Sequence, residues 1–91
     1  MKVIWTPRAV SDLWRLHDFL EVHSPRAAAN VVQMLSRAPD RLEEFPRIGL
    51  RLEEFEGAEI RRLVVGDYDI RYQVSDDAVF VLQIWHGKED R

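Results

Sequence analysis

The sequence contains no cysteine, no run of 18 apolar residues and no excess of basic over acidic side chains. Without cysteine, neither a disulfide framework nor a thiolate metal site can form, and we expect a reducing, cytoplasmic setting. The lack of a long apolar run, and of an apolar segment behind the N-terminus, predicts a soluble chain that is neither exported nor membrane-spanning. Thirteen Lys and Arg against sixteen Asp and Glu give a net charge of −3, which argues against a general nucleic-acid-binding protein.

The apolar pattern of the first half predicts a strand followed by two helices. Ninety-one residues, 46% of them hydrophobic, are enough for one domain over 1–91 and too few for two. Residues 2–5 form a β-prone run, and Thr6-Pro7 and Ser24-Pro25 are typical starts of helices. We therefore expect helices over about 7–22 and from Pro25 to near 45, with a kink or break at Pro39.

The second half predicts an antiparallel meander. Residues 46–57 lack periodicity and indicate a loop, after which apolar residues alternate over 60–65, 68–74 and 79–85. The alternation assigns these side chains to the core face: Leu63, Val65, Ile70, Tyr72, Val74, Phe80, Leu82 and Ile84. It assigns these to the opposite face: Arg62, Asp69, Arg71, Gln73, Gln83 and Trp85. The predicted architecture is α+β, β-α-α-β-β-β, with a helical hairpin packed on one face of a small antiparallel sheet.

The opposite face of the meander holds the strongest candidate for a functional site. Arg61 or Arg62, Arg71 and Lys88 can converge there near Trp85 and His86. Cations beside an aromatic plane suit a phosphate and a base, or a carboxylate-rich partner. In the alternative interpretation, the arginines keep an open sheet face soluble and pair with Asp69, Glu59 or Asp76.

Other kinds of site find little support. His86 can act as a general acid or base, and a structural role is its alternative. No His-x-x-x-His pair, Gly-x-Ser-x-Gly turn or glycine-rich phosphate loop is present, so we predict neither a metal nor a cofactor. On the first helix, Leu13 with Trp14 and Leu16 with His17 are sequence neighbours that cannot all face one core. Part of the helical hairpin is therefore expected to pack against another chain.

Four segments, in this order, resemble a known family: Thr6-Pro7-Arg8-Ala9 with Asp12-Leu13; Phe45-Pro46-Arg47-Ile48-Gly49; Arg61-Arg62-Leu63 with Tyr68-Asp69-Ile70-Arg71-Tyr72; and Leu82-Gln83-Ile84-Trp85-His86-Gly87-Lys88. They are similar to the RelE/ParE toxins of bacterial type II toxin–antitoxin systems. The resemblance implies a growth-arresting toxin in a hetero-oligomer with a cognate antitoxin, which is ParD-like or a similar DNA-binding protein. The toxin would contact operator DNA only through this antitoxin. The antitoxin of this family wraps the toxin's helices and sheet, and the residues expected to bind it are Leu13, Trp14, Leu16, His17 and Leu20.

The family has two activities, and departures from its motifs favour one of them. RelE-like members are ribosome-dependent mRNA endonucleases with basic residues on the open sheet face, including an arginine directly after the third-strand tyrosine. Here Asp69 follows Tyr68, Glu89 stands where another arginine is common, and no late C-terminal tyrosine follows. Arg62, Arg71 and His86 remain as the catalytic set of this alternative.

ParE-like members bind DNA gyrase and are not themselves nucleases, and the segments 46–49 and 84–88 resemble that branch. The resemblance thus implies a gyrase inhibitor more than an enzyme, and its target-binding surface would comprise Arg61, Arg62, Arg71, Trp85, His86 and Lys88. A degenerate member that binds its antitoxin and little else is the third interpretation.

Overall fold

The fold is α+β, as predicted, with two helices packed against a five-stranded sheet. The computed structural model describes residues 1–89. Its elements are β1 (Lys2–Trp5), α1 (Pro7–Glu21), α2 (Pro25–Arg37), a 3-10 helix (Ala38–Glu43), β2 (Leu50–Arg51), β3 (Glu59–Val65), β4 (Tyr68–Val74) and β5 (Ala78–His86).

The helix boundaries follow from local capping chemistry. The side chains of Thr6 and Ser24 each accept a hydrogen bond from the backbone N–H three residues later, and a proline occupies the first helical position of both helices. The predicted break is confirmed, because α2 ends at Arg37 and Pro39 lies in the 3-10 helix that follows. Proline cannot donate the backbone hydrogen bond that would continue the α-helix.

The sheet has the order β1-β5-β4-β3-β2 and is mixed. The meander β3-β4-β5 is antiparallel, as predicted, but β1 pairs in parallel with β5, with Lys2 opposite Ala78 and Trp5 opposite Val81. The predicted loop 46–57 also contains the two-residue strand β2, which pairs with β3. The helical hairpin links β1 to the meander, and such a crossover allows a parallel pair.

A β-bulge in β5 corrects the predicted face of two side chains. The register pairs Arg71 with Gln83 but Tyr72 with Val81, so Leu82 is an extra residue on its strand. A bulge shifts the alternation by one position. The prediction of Phe80 and Leu82 on the core face is therefore wrong.

The residues that fill this part of the core are Val79, Val81 and Ile84, all fully buried. They pack in one cluster with the predicted Leu63, Ile70, Tyr72 and Val74.

A close backbone approach ties the loop before β2 to the sheet. The N–H of Gly49 donates a 2.9 Å hydrogen bond to the buried Tyr72 hydroxyl. A Cβ at position 49 would lie 2.6 Å from that hydroxyl and 2.6 Å from the Arg62 carbonyl oxygen, so only glycine fits. Within residues 1–89, no helix is long and apolar enough to cross a membrane.

Candidate functional site

The outer sheet face, which is the side of the sheet opposite the helices, brings together three of the predicted site residues. Arg62 and Arg71 are direct partners on β3 and β4, and the guanidinium carbon of Arg71 lies 4.9 Å from the ring centroid of Trp85. The guanidinium carbon of Arg71 also lies 5.1 Å from the ring centroid of Phe55, a residue of the loop before β3. Sequence reasoning missed Phe55, because it stands in an acidic, aperiodic stretch.

The Arg71 guanidinium contacts two aromatic rings. Its Nε is buried and has no hydrogen-bond partner within residues 1–89, and no ion pair joins it to a described carboxylate. Trp85 is only 7% exposed beneath it. Stacking on aromatic faces restricts a guanidinium, and because Nε is buried, a partner would reach the terminal N–H groups of Arg71. A partner would meet the Arg71 edge more than the Trp85 ring.

Arg62, in contrast, is paired. Its Nε donates a 2.9 Å hydrogen bond to the buried carboxylate of Asp69. Because Asp69 lies on the same outer face, its negative charge compensates the positive charge of Arg62. The alternative interpretation, in which an arginine of this face pairs with Asp69, is confirmed for Arg62.

Arg61 lies on the helix side of the sheet and does not join the other site residues. Its Nε is 2.7 Å from a Glu59 carboxylate oxygen, and its terminal nitrogen donates to the Gly49 carbonyl at 2.7 Å. Arg47 binds both oxygens of the same carboxylate, at 2.9 and 3.0 Å. The guanidinium of Arg61, followed by that of Arg47, lowers the pKa of Glu59. Arg61 therefore anchors the loop that carries Gly49.

His86 and Lys88 lie at the end of β5, beside Tyr68. The His86 ring packs edge-on against Tyr68 at 5.1 Å, and its Nδ1 accepts the backbone N–H of Lys88 at 3.1 Å. The neutral ring then carries its proton on Nε2. Burial, with a smaller contribution from Asp67, raises the pKa of Tyr68, so the tyrosine stays protonated near neutral pH.

Asp12 and Arg15 of α1 seal the edge of β5, a role that the sequence analysis missed. Strand β1 ends opposite Val81, so its pairing does not extend to the following residues of β5. The buried carboxylate of Asp12 accepts the Ile84 N–H at 2.9 Å, and Arg15 donates to the Ile84 carbonyl at 3.2 Å. The signal in the sequence was the spacing of Arg8, Asp12 and Arg15, which puts opposite charges one turn apart.

A cleft of about 510 Å³ opens between this part of α1 and the C-terminal part of β5. We call it the α1–β5 cleft; it is lined by Arg8, Asp12, Arg15, Arg71, Gln83, Ile84, Trp85 and Glu89. Three guanidinium groups and two carboxylates therefore share one concave surface. Arg71 and Trp85 belong both to this cleft and to the outer sheet face.

The side chains of α1 that were predicted to bind a partner divide into two groups. Leu13 and Leu16 are buried in the core of this chain, whereas Trp14 is 53% exposed and His17 and Leu20 are half-buried. Phe19 is also exposed and was missed, because it lies beside the apolar stripe.

His17, Asp18 and Glu21 place three potential metal-ligand atoms within 4.8 Å of one another on α1. His17 Nδ1 lies 3.0 Å from Asp18, and Nε2 lies 3.1 Å from Glu21. Contacts between these three side chains account for the cluster, and no metal site is assigned to it.

The fold is one that solved toxin–antitoxin structures share. A chain from the structure described as the chromosomal ParDE system from P. aeruginosa superposes with a TM-score of 0.81 at 23% identity, over 94% of this chain and 95% of the other. A chain from the toxin–antitoxin complex RelBE2 of Mycobacterium tuberculosis gives 0.59 at 30% identity, over 93% and 95%.

Sequence comparison identifies the family to which the chain belongs. The chain belongs to the family described as the ParE toxin of the type II toxin–antitoxin system parDE, whose sequence profile matches residues 3–91. It is 40% identical to Toxin RelE2 of Caulobacter vibrioides over 94% of both chains. It is 36% identical to Toxin RelE1 of the same organism, over 98% of this chain and 96% of the relative. The protein is a type II toxin of the ParE/RelE superfamily, as the sequence motifs indicated.

Proposed function

We propose that this toxin arrests growth by binding DNA gyrase, and that it does not cut a substrate itself. The observation that carries the proposal is the ion pair of Arg62 with Asp69 on the outer sheet face. Cleavage of RNA needs uncompensated cations where negative charge develops at the phosphate. A buried carboxylate 2.9 Å from one of the few arginines of that face opposes such a role.

The proposed target-binding surface is centred on Arg71. Arginine and tryptophan are common at binding hot spots, and the Trp85 ring holds the guanidinium in place before a partner arrives. Arg62 is its direct partner on β3, His86 and Lys88 extend the proposed surface at the end of β5, and Arg61 contributes by anchoring the neighbouring loop. These are contacts suited to recognition of a protein surface.

We further propose a cognate, ParD-like antitoxin as the partner that neutralises the toxin. Support comes from the names of the two solved assemblies, ParDE and RelBE2, in which each toxin is described with its antitoxin. On α1, Trp14 and the neighbouring Phe19 are exposed and His17 and Leu20 are half-buried, so these four side chains are accessible for this contact. Leu13 and Leu16 would support it from the core.

The second candidate is a RelE-like mRNA endonuclease that uses Arg62, Arg71 and His86. The names of the Caulobacter relatives, RelE1 and RelE2, favour it. For this activity Arg62 must leave Asp69, and His86 must offer Nε2 to the substrate.

One experiment separates the two candidates. Purified toxin is added to a DNA supercoiling and cleavage assay with gyrase, and in parallel to translating ribosomes with a labelled mRNA. We expect inhibited supercoiling, a loss of this effect in Arg71→Gln, and full activity in Arg26→Gln, which removes an exposed arginine of α2. Cleaved ribosome-bound mRNA with unaffected gyrase would overturn the proposal, and inactivity in both assays would indicate a degenerate toxin.

A further inference from the structure

The α1–β5 cleft has a charge arrangement that suits one additional carboxylate. Asp12 is already committed to the Ile84 N–H and to Arg8, at 2.9 and 3.2 Å. Three arginines and two carboxylates leave one positive charge, and the structure leaves Arg71 as the arginine without a carboxylate partner among residues 1–89. A guanidinium held in this way binds a carboxylate through paired N–H donors.

Glu89 shows how a carboxylate occupies the cleft. One of its oxygens lies 2.6 Å from Arg15 and the other accepts the His86 N–H at 2.7 Å. This side chain of the same molecule binds Arg15, one of the two arginines of α1 on the wall of the cleft. Arg15 is still 47% exposed and Arg8 66% exposed, so both are accessible to an incoming group.

We propose that the α1–β5 cleft binds a carboxylate side chain from an acidic segment of a protein partner, with Arg71 as its principal contact and Glu89 as a built-in competitor at Arg15. A polyanion such as a nucleic-acid backbone is disfavoured, because the cleft walls carry Asp12 and Glu89 and the chain has a net charge of −3. The inference does not depend on gyrase as the target, because it concerns the cleft whichever partner supplies the acidic segment.

The test uses the full-length toxin and an acetylated, amidated peptide of four glutamates. NMR follows the Nε–Hε signal of Arg71 and the indole N–H signal of Trp85 during titration, with a four-glutamine peptide as the neutral control. We expect saturable shifts with the glutamate peptide and none with the glutamine peptide. Inorganic phosphate at matched ionic strength should produce smaller shifts, and equal shifts would overturn the preference for carboxylates.

Two variants and one control locate the site. Arg71→Gln should weaken peptide binding about tenfold, whereas Arg26→Gln, of equal charge change, should leave it unchanged. Glu89→Gln should strengthen binding, because it removes the internal partner of Arg15. The amide spectrum of each variant checks that it is folded. An equal loss of binding in Arg26→Gln, or weaker binding in Glu89→Gln, would overturn the proposal.

Discussion

Arg61 and Arg71, on neighbouring strands, have opposite environments. The Arg61 guanidinium binds Glu59 and the Gly49 carbonyl, and its side chain is 15% exposed. The Arg71 guanidinium contacts the rings of Phe55 and Trp85 and has no ion pair within residues 1–89. The N–H groups of Arg61 are used within the fold, whereas Arg71 has no described carboxylate partner and is the residue that we propose as the contact for a partner. Residue type alone therefore does not distinguish a structural cation from a recognition cation; the partners of its N–H groups do.

The largest loss of stability should come from adding a side chain at Gly49, in the loop that Arg61 anchors. In Gly49→Ala, the added methyl would meet the Tyr72 hydroxyl and the Arg62 carbonyl at 2.6 Å, and both are fixed in the sheet. We expect a loss of about 3 kcal/mol in the free energy of unfolding, measured by urea denaturation.

Gly57→Ala is the control for this change. Gly57 has a φ of +80°, but an added methyl there would meet no described atom within 4 Å, so its cost should be backbone strain alone, about 1 kcal/mol. A loss in Gly49→Ala no greater than in Gly57→Ala would mean that the loop is not anchored as described.

The next largest loss of stability is expected at Asp12, which lines the α1–β5 cleft together with Arg71. Asp12→Ala removes the acceptor of the buried Ile84 N–H, and an unsatisfied buried donor costs about 2 kcal/mol. Asp12→Asn retains an acceptor and should lose less. Thermal and urea unfolding measure both, with the exposed Asp18→Ala of the same helix as control, expected within about 0.5 kcal/mol of the parent. Equal losses in Asp12→Ala and Asp18→Ala would contradict a sealing role for Asp12.

Capping, proline and turn residues predicted the helices and strands. The geometry of the site depends on contacts between residues that are distant in the sequence. Proline and capping residues fixed both helix starts and the break at Pro39, and Gly66, with φ +58°, makes the two-residue turn before β4. The bulge at Leu82 has no local sequence signal, so Phe80 and Leu82 were wrongly assigned to the core face. The role of Asp12 requires knowledge that β1 stops opposite Val81.

The site residues show the same limit. Strict alternation places Arg61 on the face of Leu63, yet its position beside Arg62 in the motif grouped it with the outer face. The pairing of Arg62 with Asp69 was one of the stated alternatives, since both were assigned to one face. The stacking of Phe55 on Arg71 depends on the path of the 52–58 loop, which no periodicity describes.

Exchanging each arginine for glutamine should separate the two environments directly. Arg61→Gln should reduce the free energy of unfolding by about 1.5 kcal/mol, because Glu59 and the Gly49 carbonyl lose a charged donor. Arg71→Gln should change stability by less and toxicity by more. Growth after induction and urea unfolding of the purified variants provide the two readouts. A toxic Arg71→Gln combined with a stable Arg61→Gln would reverse the assignment.

The smallest effect is a dependence on pH at the Arg61 anchor. Hydrogen bonds from Arg61, then from Arg47, lower the pKa of Glu59 below its ordinary value of 4.5. The unfolded chain therefore takes up this proton at a higher pH than the folded chain, so the contribution is present above about pH 4.5 and is lost as pH falls through the lower folded-state value. Glu59→Gln should flatten the stability profile below about pH 4.5, whereas the exposed Glu56→Gln should not. If the free energy of unfolding of the parent and of Glu59→Gln varied with pH in the same way, the ion pair of Arg61 with Glu59 would not stabilise the anchored loop. Arg61 and Arg71 would then differ only in their burial.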